Sequence, residues 1–262
     1  MYRATTLLRR AKRGRAQPPL CFAVDDQGRV ADVWLKSPSL HQTLPLHSLE
    51  REWMAAKLAA DLGIRSAQAL QVRLTREFLS SIDDDDLRLA LSQGPEVVLG
   101  SVDAGEGWGL LDPNRKLPWS HLPASIRIVA FDSLIQNSDR MSSNPNMLRH
   151  GDELMLIDNE EAFSRAVTNE GSVPWKPMGL FTFAQGNMQH VLVPLLAPKS
   201  RCNFHDVAED WKSLDERAIR RYGEQASAEW CGPTMDRISD YICDARTNVD
   251  TFCDLANELL AT

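Results

Sequence analysis

The 262-residue sequence contains no apolar run approaching the roughly 18 residues that read as a membrane span. No membrane association is therefore expected. Five cysteines (Cys21, Cys202, Cys231, Cys243, Cys253) are scattered along it. None stands in a C-x-x-C, and no histidine pair has the spacing of a metal finger. An odd, unpatterned set argues against a disulfide framework or a structural zinc site. It reads as reduced, mostly buried thiols of a cytoplasmic protein. Internal repeats and low-complexity segments are missing, which excludes a solenoid. Positive charge is short: 29 Lys and Arg face 36 Asp and Glu, for a net charge of −7. That balance argues against general nucleic-acid binding.

The composition that remains is ordinary, 43% hydrophobic and 25% charged. It suits one large domain or two intimate lobes whose core closes without staples. The charge is uneven. Arg3, Arg9, Arg10, Lys12, Arg13 and Arg15 fall in the first 15 residues with no acid among them. This head lacks the apolar centre of a secretory signal, although an Arg-rich, acid-poor start can imitate a transit peptide. The simplest expectation is a solvated arm.

Short apolar runs separated by turns fill the first hundred residues. Leu20 to Val24 and Val30 to Lys36 read as strands joined by the turn Asp25-Asp26-Gln27-Gly28. Ser48 to Leu62 reads as a helix, with Leu49, Trp53, Ala56 and Ala60 at helical spacing and Gly63 as its stop. Ala69 to Thr75 and Glu96 to Val102 read as further strands. The acids 83–86 suit a helix start, where the dipole is positive, better than a calcium site. Glycines 105, 107 and 109 mark the expected boundary between residues 1–102, a β-rich lobe, and 103–262, a helical lobe. A long helix striped by Ile126, Val129, Ala130 and Leu134 runs into Gln136. Then come an irregular stretch, 137–146, a short strand from Glu153, and helices that include 233–245 and 249–260. The expected fold class is α+β, a mixed lobe with one embedded helix followed by a helical lobe.

The chemistry concentrates between Phe131 and Phe163. Asp139 precedes Asn144 by five positions on an irregular loop, and Asp158 follows the apolar strand L-M-L-I. Phosphoryl transfer needs one carboxylate for the acceptor hydroxyl, and an amide oxygen with a second carboxylate to hold magnesium against phosphate. Asp-x4-Asn on a loop, then an Asp at a neighbouring strand end, meets that division of labour. Each element alone has a blander reading, as a surface pair, turn chemistry or a strand cap. In the first lobe, Lys36 ends V-A-D-V-W-L-K, a strand like the V-A-I-K strand of kinases, and can reach phosphates. It needs a carboxylate partner. Glu52 is the best candidate, on a helix that Ala55, Ala56 and Ala59 let approach the sheet, and Glu50 is the rival. With this chemistry in view, the basic head acquires a second reading, as an arm lying near nucleotide phosphates. His190 and His205 stand near carboxylates without a metal motif, and H-D-V-A-E-D-W reads as the polar start of a short helix. Trp175 reads as core, or as packing for a neighbouring segment or partner.

Three segments together resemble the HipA-like kinase family. They are R-E-W-M-A-A-K-L-A-A-D-L-G from Arg51, N-S-D-R-M-S-S-N-P-N-M-L from Asn137, and I-D-N-E-E-A-F from Ile157. The resemblance is firm over about 20–76 and 131–163. It implies a two-lobed protein-kinase-like fold, with ATP between the lobes and phosphate passed to a serine or threonine. By position it makes Lys36 the phosphate lysine, Glu52 its partner, Asp139 the base, and Asn144 and Asp158 the magnesium ligands. It also implies a protein substrate, and an antitoxin or regulatory partner, since the wider family includes toxin kinases. The sequence departs from kinases at three places. No G-x-G-x-x-G precedes Lys36, and Gly14 is the only glycine before Leu20. Asp158 is followed by Asn159 and Glu160, where the family often has His in the first place. Arg140 follows Asp139 rather than preceding it, a feature normal for the HipA-like group. The missing glycine-rich loop keeps open a nucleotide-binding regulator without catalysis, and a small-molecule or lipid kinase is the remaining alternative.

Overall fold

A computed structural model describes residues 1–12, 17–40, 47–163, 167–168, 171–183, 189–196 and 202–261. Five strands close into a barrel in the order β1-β2-β3-β5-β4. They are β1 (Tyr2–Arg10), β2 (Pro19–Asp25), β3 (Val30–Lys36), β4 (Ala69–Arg73) and β5 (Val97–Val102). All neighbours are antiparallel except β1 and β4, which close the barrel in parallel through Tyr2↔Val72 and Arg3↔Arg73. Period-two alternation turns Cys21, Ala23, Val33, Leu35, Val72 and Val98 into the barrel. Gly100 lies among them because a Cβ there would meet Val72 Cγ2 at 2.6 Å.

The first strand overturns the expected solvated arm. Ala4 is buried and Leu7 packs against the barrel core, while Arg3 and Arg9 stay on the solvated side. The head's charge count conceals a strand whose apolar positions suffice for pairing. Arg13, Gly14 and Arg15 lie outside the described residues.

One end of the barrel is filled by α2 (Arg76–Ser80) and α3 (Asp85–Ser92), through Phe78, Ile82, Leu87 and Leu91. The acidic run caps α3, as expected: the Asp84 side chain accepts from Leu87 N at 2.9 Å. Asp84→Ala is expected to cost about 1 kcal/mol in urea unfolding, the usual loss for a side-chain N-cap.

A second core carries the rest. The helix α1 (His47–Asp61) belongs to this core although it lies among the barrel strands in sequence. Trp53 donates to Tyr222 O at 2.8 Å and meets Trp230 edge-on at 5.9 Å between centroids. Helices at Glu216–Glu224 and Pro233–Thr247 therefore hold α1 from the far half of the chain. A three-stranded sheet, β6 (Gly109–Leu110), β7 (Met147–His150) and β8 (Glu153–Leu156), packs Met147, Leu154 and Leu156 into this second core. The short β6 pairs with β7 through Leu110↔Leu148. The long helix α4 (Leu122–Leu134) is buried almost all round and delivers the chain to residues 135–146. Trp175 packs against this second core, its ring 5.6 Å from that of Tyr241. All five cysteines are free, with Cys21 and Cys253 buried. No described helix is long and apolar enough to cross a membrane.

Candidate active site

Lys36 is the last residue of β3, on the face opposite to the inward Val33 and Leu35. Its Nζ lies 3.2 Å from Glu52 Oε1 and 2.9 Å from Asp158 Oδ1. The lysine is 17% exposed and the glutamate 5%. Burial works against the ammonium charge, but Asp158, Glu52 and Glu160 outweigh it and hold the lysine pKa well above its ordinary value. Burial, together with the nearby Asp158, pushes Glu52 up against the pull of Lys36. Burial and then Asp158 also raise Glu160, to about 7. The structure thus chooses between the two glutamates of α1. Glu50 turns away and accepts from Gly232 N at 2.7 Å.

Asp139 and Asn144 come together on the irregular loop after α4. Asn144 Nδ2 donates to Asp139 Oδ2 at 2.7 Å. A second amide, Asn146 Nδ2, reaches the same oxygen at 3.0 Å. Asn146 has no role in the sequence pattern beyond being the second asparagine of N-P-N, which was its one signal. Asn137 Oδ1 accepts from the Asp139 backbone N–H at 3.2 Å and fixes the loop's entry.

Three buried side chains join this loop to the Lys36 group. Arg140 donates through Nε to Asp132 at 2.6 Å, through Nη2 to Asn159 Oδ1 at 2.7 Å, and through Nη1 to the carbonyls of Asn146 and Ile157. The Asn159 backbone N–H in turn donates to Glu52 Oε2. Ile157 N donates to Asn146 O at 3.1 Å, so the residue before Asp158 is stitched to the asparagine that holds Asp139. Asp158 itself adopts φ +58°, a left-handed conformation that Asp tolerates better than most residues. His190 completes the support. Its Nδ1 accepts from Leu192 N at 3.1 Å, so the proton sits on Nε2, 2.9 Å from Asp132. Burial alone would raise Asp132, yet Arg140 and His190 hold its carboxyl below the usual range. Neither Asp132 nor His190 was legible as a pair, because 58 residues separate them. His205 stands apart, 3.0 Å from the exposed Asp254.

Asn144 Oδ1, Asp158 Oδ2 and Asp139 Oδ1 make no bond to another described residue, and the first two are the candidates for a metal. Both are hard donors of the kind that magnesium takes. A magnesium shared with phosphates needs only one or two protein carboxylates, so this donor set fits the ion.

A closed β lobe with a lysine–glutamate pair, facing an Asp-x4-Asn loop in a helical lobe, defines a two-lobed protein-kinase-like α+β fold. The model of the HipA-like kinase family matches residues 4–174, and the chain belongs to that family, which is one of kinase-type phosphotransferases. The crystal structure of a Helicobacter pylori proinflammatory kinase, CtkA, shares the fold with a TM-score of 0.50 at 13% identity, over 92% of this chain and 94% of that one. No curated protein matches the sequence.

Proposed function

We propose that the protein is an ATP- and magnesium-dependent kinase that phosphorylates serine or threonine on a protein. The observation that carries this is Lys36 Nζ held between Glu52 and Asp158, beside a loop on which two amides orient Asp139. Lys36 binds the phosphates of ATP, and Glu52 keeps its flexible stem in place. Asp139 has Oδ2 occupied by Asn144 and Asn146, so Oδ1 is the atom that takes the acceptor's proton. As that hydroxyl oxygen bonds the γ-phosphorus, the bond to the β–γ bridging oxygen breaks and ADP leaves. Asn144 Oδ1 and Asp158 would hold magnesium, which neutralises charge on the phosphate oxygens when bound. The HipA-like family supports a protein acceptor, and an antitoxin or regulatory partner as the natural restraint on it.

Glu52→Gln and Glu50→Gln separate this arrangement from a coincidental ion pair. Radiolabel transfer from ATP to proteins of an extract is expected to fall at least about ten-fold in the first variant, since a charge-assisted bond to Lys36 is lost. Little change is expected in the second. Equal activity in both would remove Lys36 from the mechanism. Nucleotide binding without transfer to any protein, lipid or metabolite would make the chain a regulator instead.

A further inference from the structure

Lys36 faces Glu52 at 3.2 Å and Asp158 at 2.9 Å with Glu160 close by, and the buried Arg51, 3.8 Å from Glu161, is the other cation beside these four acids. A triphosphate entering there meets a net negative wall, and the sequence supplies no G-x-G-x-x-G whose backbone N–H groups could cover it. Two cations against four acids leave room for a further cation on the barrel side.

One row of side chains crosses the barrel on the face of Lys36. Arg9 pairs with Leu20, Leu20 with Trp34, and Trp34 with Ser101. Trp34 stands two residues before Lys36 on β3, so both project from the same face, roughly 7 Å apart. The indole is anchored at its edge, where Nε1 donates to Asp103 Oδ1 at 2.6 Å. Arg9 reaches over Leu20 and places its guanidinium carbon 4.7 Å from the centre of the Trp34 ring. Leu20, underneath, is only 5% exposed. The other two arginines of β1 are engaged by acids: Arg3 by Asp26 at 3.8 Å and Arg10 by Asp84 at 3.1 Å. Arg9 alone of the three has no carboxylate partner among the described residues, and rests on a π face instead.

We propose that Arg9 is a phosphate-binding residue of the nucleotide site, parked on Trp34 in the free protein and transferred to the phosphates when nucleotide enters. This rests on the kinase reading above and supplies the phosphate cover that the missing glycines leave open. A cation–π contact at a partly exposed site is worth about 0.5–1 kcal/mol. A charge-assisted bond to phosphate is worth more, so the exchange runs downhill.

Calorimetry on the full chain with magnesium tests it, using ADP, inorganic tripolyphosphate and adenosine as probes. Arg9→Gln is expected to weaken tripolyphosphate and ADP about ten-fold or more and to leave adenosine unchanged. Trp34→Leu removes the resting place but not the cation, so tripolyphosphate is expected to bind at least as tightly as to the wild type. Unchanged tripolyphosphate affinity in Arg9→Gln, or an equal loss for adenosine, overturns the assignment. An equal loss of tripolyphosphate affinity in both variants, with lowered melting temperatures, makes the pair a structural strut and also overturns it. A wild-type chain that binds neither ADP nor tripolyphosphate defeats the kinase reading itself, and this inference with it.

Discussion

Asp139→Asn is expected to abolish phosphate transfer, by roughly 10²- to 10⁴-fold, while folding and nucleotide binding survive. Asparagine keeps the shape and an acceptor oxygen for Asn144 and Asn146, which hold Oδ2 at 2.7 and 3.0 Å. What it lacks is a group that takes a proton. Asp158→Asn is expected to remove transfer as well, but by another route. It loses the anionic partner of Lys36, 2.9 Å away, and a magnesium donor. The two variants therefore separate in a titration of magnesium. The apparent magnesium requirement rises steeply in Asp158→Asn and stays near wild type in Asp139→Asn. Full activity in both would refute the assignment of base and ligand.

Asp132→Ala is expected to be the most destabilising single change in the site, at about 3–5 kcal/mol in denaturant unfolding. It strands Arg140, which is buried with a salt bridge to Asp132 at 2.6 Å, and it strips His190 of its acceptor. Native domains have roughly 5–15 kcal/mol of stability in all, so the comparison is made at low temperature. The pH dependence follows from the direction of the shift. Asp132 is held below its ordinary pKa in the folded state. Its contribution is fully present above the unfolded value, near 3.8, and is lost as pH falls through the folded one. Wild type and Asp132→Ala should therefore converge in stability as the pH drops below about 4. A gap between them that persists unchanged to lower pH would show that the carboxylate charge is not what matters. Arg140→Met offers a second check, since a similar apolar volume replaces the cation but leaves Asp132 without its main partner.

Much of the fold was legible in local pattern. The helix expected over 48–62 is α1, and the paired runs around the turn at 25–28 are β2 and β3, because each carries a full apolar period. Three strands were not legible, β1, β6 and β7, the last because M-L-R-H shows no alternation. In β1 an arginine-rich composition masks the pairing positions. The two residues of β6 are too few to show any period, and they exist as a strand only because β7 offers its edge. The site divides in the same way. Lys36, Glu52, Asp139, Asn144 and Asp158 were readable because their spacing within short segments is set by one strand, one helix and one loop. Asn146, Asp132, Arg140 as a bridge, Asn159 and His190 were not, because each acts through a residue on another element.

The sequence by itself determined the β-then-helical order of the longer elements and marked the reactive side chains of the candidate site. Both depend on neighbours within a turn of helix or a few residues of strand. The tertiary structure alone decided that Glu52 rather than Glu50 meets Lys36, that Arg140 ties the Asp139 loop to Asn159, and that Arg9 lies over Trp34. Those choices depend on how a helix is rotated and how strands register. Rotation and register are set by burying apolar surface across the whole chain, here by Trp53 against Trp230 and Tyr222, residues far from α1 in the linear order.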